Sequence, residues 1–160
     1  MVISDGIDDL FELPALYRTA REALELMMDR RFHGGNVCTV AQLRTTLLLK
    51  ELEGQSDLIA KEIRELAAHD KKKDTQYCET LYHYLTCCRS LKKTCDALFT
   101  HRNTVLYRIR RIEDDFAIPL DEPAAHADLL VGVSLLLFKE KGPDFFLHTV
   151  DHNDREEQES

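Results

Sequence analysis

A break of only three residues between two helical patterns is the feature that most limits how this chain can fold. Residues 91–98 have the pattern of a short helix with Ser90 as its N-terminal cap. A second helix is predicted over residues 101–115, with Thr100 as its cap. So short a connection, residues 99–101, makes the two helices cross steeply, which predicts a helix-turn-helix.

The second of these helices divides into an apolar face and a polar face. Val105, Ile109 and Ile112 recur at helical spacing, so we expect them to face the core of the domain. The remaining surface is left to basic, hydroxyl and amide side chains. A helix with such a surface, next to a tight turn, fits the major groove of DNA.

Individual side chains on this polar face match the chemistry of the groove. Arg102 and Asn103 lie in the first turn, where the side chains of a recognition helix point at base edges. An arginine can make two hydrogen bonds to a guanine, and an asparagine can make two to an adenine. Arg108 and Arg111 are better placed for phosphates, while Tyr107 fits either a backbone contact or a place in the core. The predicted DNA contacts are Thr100, His101, Arg102, Asn103, Thr104, Tyr107, Arg108 and Arg111.

The distribution of charge agrees with a polyanionic partner although the net charge is -8. Between residues 89 and 111 there are seven Lys or Arg residues against one acid, Asp96. Acids dominate residues 113–128 and 151–159. Because salt screens charges beyond roughly 10 Å, the local charge matters more than the total. A merely solvated helix face is the alternative interpretation, but the tight turn, the polar first turn and the apolar stripe together favour DNA binding.

The segment before residue 54 combines helices with a single strand. Helices are predicted over residues 14–30 and 41–53, and a strand over residues 37–40. One strand cannot form a stable sheet alone. Residues 1–53 are therefore interpreted as the remnant of a larger α/β domain, although a chain that borrows a strand from a partner would look the same.

The rest of the chain is predicted to be helical, so the fold class is mainly α with at most one or two short strands. Residues 54–70 are expected to form a connecting helix, and the polar run at residues 71–74 marks the domain boundary. The helix-turn-helix domain covers residues 71–147, including a last helix over residues 124–139. Residues 148–160 are acidic and polar enough to form a disordered tail.

The segment DALFTHRNTVLYRIRRIE, residues 96–113, resembles the C-terminal helix-turn-helix of the PucR/CdaR regulators of purine and sugar-diacid catabolism. The similarity continues through FAIPLDEP, residues 116–123. Upstream, residues 3–14 and 17–20 resemble the end of the GGDEF-like domain that precedes this motif in the family. The resemblance implies a bacterial transcription regulator that binds double-stranded DNA as a homodimer. Nothing in the chain resembles the effector-sensing N-terminal domain of the family.

The motif is also similar to the Fis type of helix-turn-helix, which implies that Arg102, Thr104 and Arg108 lie at the DNA. Two departures from the PucR/CdaR pattern stand out. Leu106 replaces a residue that is often basic, which removes one expected DNA contact. Residues 87–90, Cys-Cys-Arg-Ser, replace the usual glycine-rich turn before the motif.

Catalysis is the first alternative class of function. The histidines are scattered without a metal-ligand pair, and no nucleophile elbow, phosphate loop or zinc motif occurs. The five cysteines lack a CxxC pair, which favours buried free thiols over a metal site. We therefore expect no enzyme activity, cofactor or metal. The alternative zinc site would use Cys87, Cys88, Cys95 and either His83 or His101.

A protein-interaction module is the second alternative. The last predicted helix is apolar around nearly its whole circumference, so leucines not needed by the core would form a dimer surface. No apolar run reaches the roughly 18 residues that span a bilayer, and no signal peptide pattern begins the chain. We therefore expect a cytoplasmic protein without membrane contact. The apolar residues of the helix are Leu129, Leu130, Val133, Leu136 and Leu137.

Overall fold

The structure, a computed structural model, describes residues 1–6, 9–33, 35 and 37–147. Regular structure over these residues is mainly helical, which confirms the predicted class. None of the helices in these ranges is long and apolar enough to cross a membrane. The predicted tail, residues 148–160, lies outside the described residues. The strands are β1 (Val2–Ile3) and β2 (Cys38–Thr39), and the helices are α1 (Leu13–Met27), α2 (Val40–Leu52), α3 (Lys61–Lys73), α4 (Tyr77–Thr86), α5 (Leu91–Leu98), α6 (Arg102–Phe116), α7 (His126–Lys141) and α8 (Asp144–Leu147).

The chain divides into two compact units. The first contains residues 1–54 together with the described residues from 138 onward, and the second contains residues 55–137. Helix α3 belongs to the second unit, where it packs on α4 and α6 and fully buries Ile63 and Leu66. The helix that the sequence assigned to a connection is therefore grouped with the helix-turn-helix.

The polar run at residues 71–74, predicted to be a domain junction, continues a helix. Lys71, Lys72 and Lys73 form the last turn of α3, where basic side chains suit the negative end of the helix dipole. Asp74 ends the helix in a left-handed conformation with φ 54°. The division into domains at residues 1–53, 54–70 and 71–147 stays a prediction.

A short parallel strand pair organises the first unit. Val2 of β1 lies opposite Cys38 of β2, so the strand predicted over residues 37–40 has a partner that the sequence analysis did not assign. The strand is shorter than predicted because a capping box starts α2. The Thr39 hydroxyl accepts the Gln42 N–H at 3.2 Å, and the Gln42 side chain accepts the Thr39 N–H at 2.9 Å.

Helix α1 has two apolar faces. Ala23 and Leu26 are fully buried in the first unit. A second stripe is exposed, and the described residues leave it uncovered. Its members are Leu13, Tyr17 and Leu24, followed by Met28 directly after the helix.

A partly buried aromatic cluster joins α3, α4 and α6 in the second unit. His69 of α3 stacks on Tyr77 of α4 with ring centroids 5.3 Å apart. Phe116, the last residue of α6, meets the His69 ring edge-on at 5.4 Å. These contacts fix the C-terminal end of α6 against the other two helices.

Most apolar residues of helix α7 are buried. Leu129, Val133 and Leu137 are buried. Leu136 is half-buried and Val131 is exposed. The apolar surface left for the predicted dimer contact is therefore smaller than the sequence of this helix indicates.

A buried carboxylate starts α4. Asp70 of α3 accepts the Tyr77 N–H at 3.0 Å through Oδ1 and the Cys78 N–H at 2.8 Å through Oδ2. The Thr75 hydroxyl donates to the same carboxylate. Gln76, the N-cap residue of α4, makes no side-chain capping bond. Asp70 therefore satisfies N–H groups that a helix cannot satisfy internally.

Two consecutive left-handed residues join α4 to α5. Cys88 has φ 51° and Arg89 has φ 61°, in the turn where the family resemblance predicts glycine. This conformation costs roughly 1–2 kcal/mol for each residue other than glycine. The Arg89 Nη1 donates to the Leu120 carbonyl at 3.0 Å, which helps to hold the turn. The chain therefore keeps a glycine-like backbone at this turn without glycine.

Candidate nucleic-acid interface

Helices α5 and α6 form the helix pair predicted from the sequence. Helix α5 ends at Leu98 and α6 begins at Arg102, so the chain breaks at residues 99–101 as expected. Ser90 caps α5, because its hydroxyl accepts the Lys93 N–H at 3.4 Å. The two helices contact each other, and both contact α4.

The start of α6 differs from the prediction. The expected Thr100 cap is wrong, because the Thr100 hydroxyl donates to the Leu98 carbonyl at 2.9 Å. His101 is the N-cap residue, with φ −64° and ψ 144°, and its side chain makes no capping hydrogen bond. The helix begins at Arg102, one residue later than predicted. The N–H groups of its first turn are therefore left without a capping side chain.

Helix α6 buries the stripe that the sequence predicted. Val105 and Ile112 are fully buried, and Ile109 is nearly so. Residues 101–104 are all exposed. The helix is therefore anchored along one face while its N-terminal turn stays accessible.

An exposed row lies on the opposite side of α6. Asn103, Tyr107 and Arg110 follow one another at spacings of four and three residues, and each is exposed. Tyr107 is 58% exposed, which excludes the core position that the sequence left open. Arg110 was not among the predicted contacts. Its helical spacing from Asn103 and Tyr107 is the signal that could have found it.

Arg102 and Asn103, the residues predicted to read bases, are both accessible. Both side chains are exposed, and neither has a hydrogen bond or ion pair among the described residues. Each can therefore bond to a base edge without first breaking a contact inside the protein.

Arg108 and Arg111 are held by the protein itself. Arg108 donates to Thr80 Oγ1 at 3.2 Å and to Gln76 Oε1 at 3.0 Å, which ties α6 to the start of α4. Arg111 Nη2 lies 2.8 Å from Asp115 Oδ2. The negative charge of Asp115 is the main cause that raises the pKa of Arg111. A phosphate contact by either arginine would have to replace or share these internal contacts.

The charges along α6 run against its helix dipole. The first turn has no acid and contains Arg102, and the last turn has no base. A charge placed against the dipole typically costs about 0.3–1 kcal/mol. This arrangement of charges therefore does not stabilise α6. It attracts a polyanion to the N-terminal end of the helix and repels it from the C-terminal end. The acids of the last turn are Glu113, Asp114 and Asp115.

Helix α5 also has basic residues at its N-terminal end, Lys92 and Lys93. Both are exposed in the first turn of that helix, which has no acid either. These lysines were not among the predicted DNA contacts. Basic residues are unfavourable in a first turn, so their presence there was a signal that could have found them.

The acidic end of α6 should make folding stability depend on pH. Burial raises the pKa of Glu113, and the nearby carboxylates of Asp121 and Asp114 raise it further. The folded state therefore binds this proton more tightly than the unfolded state, so ionised Glu113 destabilises the fold above its folded pKa. That penalty disappears as pH falls through the folded pKa to the unfolded value of about 4.3.

We therefore expect Glu113→Gln to raise the melting temperature at pH 7, with the gain vanishing below about pH 4. Thermal melting at several pH values measures this. Exposed Glu51→Gln is the control and should melt like the unchanged protein throughout. A gain that persists unchanged at low pH would assign the effect to something other than the ionisation of Glu113.

The cysteines are all free, but only two are buried. Cys38 and Cys78 match the expected buried thiols, whereas Cys88 is exposed. Cys87 is half-buried, and burial raises the pKa of its thiol. Within the described ranges no three His, Cys, Asp or Glu side chains are grouped to hold a metal ion.

Comparison with known families identifies the helix-turn-helix. The family model described as the PucR C-terminal helix-turn-helix domain matches residues 77–135. Residues 77–135 form a PucR C-terminal helix-turn-helix domain. This PucR domain extends from the start of α4 into α7 and contains the α5–α6 pair. The resemblance to PucR regulators is therefore confirmed, while the GGDEF-like origin of the first unit stays a prediction.

A relative with a named role supports the same assignment. Over 132 residues the chain is 29% identical to the proline-responsive transcriptional activator PutR of Bacillus subtilis (strain 168). The match covers 79% of this chain and 32% of PutR, so the chain spans about a third of the length of that relative. No solved structure was found to match the chain.

Proposed function

We propose that this chain binds double-stranded DNA with sequence preference, as part of a transcription regulator, and that the N-terminal half of α6 lies in the major groove. The observation that carries this proposal is the exposed first turn of α6, residues 101–104, on a helix anchored by its opposite face. PucR domains belong to transcription regulators, and the name of PutR describes a transcriptional activator.

Base readout falls to the first turn in this proposal. Arg102 bonds the N7 and O6 atoms of a guanine, since its guanidinium is exposed and has the geometry for two bonds. Asn103 bonds an adenine in the same way, and His101 and Thr104 contact neighbouring base edges. The absence of a capping side chain leaves backbone N–H groups of this turn for a phosphate oxygen.

In this proposal, contacts to the DNA backbone come from exposed side chains of α5 and α6. Arg110 and Tyr107 lie on the outer row of α6, and Lys92 and Lys93 lie in the first turn of α5. Each lysine or arginine that neutralises a phosphate adds to affinity without adding sequence preference.

Arg108 and Arg111 have a second task in this proposal. Arg108 braces α6 against Thr80 and Gln76, so it positions the recognition helix besides any phosphate contact. Arg111 is 46% exposed and can turn from Asp115 toward a phosphate. Thr100 stabilises the turn between α5 and α6 through its hydrogen bond to the Leu98 carbonyl. It stays a candidate for a contact to the DNA backbone.

Pairing on DNA is a further part of the proposal. Helix-turn-helix regulators commonly read two half-sites about one helical turn apart, and a twofold protein pair matches that spacing. Sedimentation of the protein on a duplex with an inverted repeat measures the number of copies bound. Pairing predicts that two copies bind together, with little singly bound duplex at intermediate concentrations. Half-sites that fill independently of each other would contradict pairing.

The proposal predicts a specific dependence on salt. Duplexes enriched by this chain from a random pool should bind with a log-log salt slope to which each phosphate contact contributes about −0.9. Arg110→Ala should reduce the magnitude of that slope by about one and leave the preferred sequence unchanged.

Exposed Arg18→Ala of α1 is the matched control, because it removes the same charge from the first unit. Its slope should equal that of the unchanged protein. A pool without enrichment would overturn sequence-preferring binding. Equal slopes for all three proteins would remove Arg110 from the interface.

A further inference from the structure

Phe99, in the turn between α5 and α6, is a large apolar residue that the fold leaves mostly in water. Its side chain is 87% exposed, and its backbone is left-handed with φ 48°. A bulky residue other than glycine is strained in this region. Glycine would relieve the strain and would also remove a large apolar surface from water. Strain of this kind tends to persist at functional sites.

The turn presents Phe99 from a fixed backbone. The Phe99 N–H donates to the Asp96 carbonyl at 3.3 Å, and the Thr100 N–H donates to the Cys95 carbonyl at 3.0 Å. The Thr100 hydroxyl adds its bond to the Leu98 carbonyl at 2.9 Å. The backbone of this turn therefore needs no reordering when the aromatic ring meets a ligand, and only the two side-chain torsions of Phe99 have to be fixed.

The position of Phe99 in the chain indicates which ligand it meets. It lies three residues before Arg102, which begins the exposed turn that we propose reads bases. The apolar group that bases present in the major groove is the C5-methyl of thymine, and Phe is among the side chains that contact it. An exposed aromatic ring beside a base-reading turn therefore has a matching partner in DNA.

We infer that Phe99 contacts the C5-methyl group of a thymine next to the bases read by Arg102, and so determines a preference for thymine at that position. The inference rests on the proposed function. The contact is apolar, so it adds sequence preference without adding a phosphate contact to the salt slope.

Deoxyuridine tests this contact because it is thymidine without the methyl group. The probe is the duplex most enriched by this chain, with each thymine in the bound site replaced in turn by deoxyuridine. At one position the unchanged protein should lose affinity by about fourfold, as expected for burying one methyl-sized group. Phe99→Gly should bind the thymine duplex more weakly and should not distinguish the two duplexes at that position.

Ala117→Gly is the matched control. Ala117 is also an exposed left-handed residue, with φ 52°, but it ends α6 at the opposite end from the turn. Both glycine variants should melt at or above the temperature of the unchanged protein, which shows that Phe99→Gly is folded. Ala117→Gly should keep the fourfold distinction. If Phe99→Gly melts lower, Phe99→Ala at a temperature where it is folded repeats the comparison.

The outcomes separate the inference from the proposed function. The inference is overturned if the enriched site contains no thymine, if no deoxyuridine substitution weakens the unchanged protein, or if the Phe99 variants still distinguish the duplexes. In each of these cases salt-dependent, sequence-preferring binding of the unchanged protein would leave the proposed function in place. A pool without any enriched duplex would overturn both.

Discussion

Arg102→Ala should weaken binding to the best operator by about 5- to 150-fold and leave binding to a scrambled duplex nearly unchanged at the same salt concentration. The side chain is exposed in the first turn of α6 and has no internal bond among the described residues, so its loss does not disturb the fold. Two hydrogen bonds from an arginine guanidinium to a guanine contribute roughly 1–3 kcal/mol of discrimination against other bases, and the variant loses both bonds. Competition binding with both duplexes measures the two affinities together.

Arg110→Ala is the comparison for this experiment. It removes the same charge from the outer row of α6 and should weaken both duplexes alike. If Arg102→Ala behaves in that same way, Arg102 is a phosphate contact. The specificity would then have to come from His101, Thr104 or the shape of the DNA.

Asp70→Ala should lower the free energy of unfolding by about 3 kcal/mol. Asp70 is 8% exposed, and its carboxylate accepts hydrogen bonds from two backbone N–H groups at the start of α4 and from the Thr75 hydroxyl. Without it, the N–H groups of Tyr77 and Cys78 lose a charged acceptor in a buried place. Because α4 supports both Arg108 and the α5–α6 pair, binding to DNA should weaken as well.

Asp70→Asn and Asp74→Gly give the matched comparisons for this prediction. The amide keeps one carbonyl acceptor, so its loss of stability should be intermediate. Asp74→Gly removes the same charge four residues away, at an exposed left-handed position, and should not destabilise the fold. Chemical denaturation measures all three. Equal stabilities for Asp70→Ala and the unchanged protein would show that the cap of α4 contributes nothing.

The helix pair could be predicted from the sequence because its determinants are local. Ser90 caps the residues that directly follow it, and Val105, Ile109 and Ile112 mark the buried face by their spacing alone. The polar first turn of α6 is likewise a matter of adjacent residues. Such patterns are visible in one stretch of chain, and the structure places them as expected.

Features that depend on distant residues could not be predicted in this way. Asp70 caps a helix that begins seven residues later. Arg108 bonds Thr80 of α4 and Gln76 just before that helix, which lie 28 and 32 positions away. The partner of β2 is β1, which precedes helix α1 in the chain, whereas β2 follows that helix. Thr100 has the right residue type for a cap, but the turn directs its hydroxyl back to Leu98. The spacing of residues along the chain does not indicate which distant partner a side chain or strand will bond.

Amide chemical shifts of the isotope-labelled protein, followed while the enriched duplex is added, test the central claim most directly. We expect the largest changes at residues 99–104, at Tyr107 and Arg110, and in the first turn of α5. Changes concentrated on α7 around Val131, with the first turn of α6 unaffected, would contradict it. They would support the alternative in which α7 is an interaction surface and α6 does not read DNA.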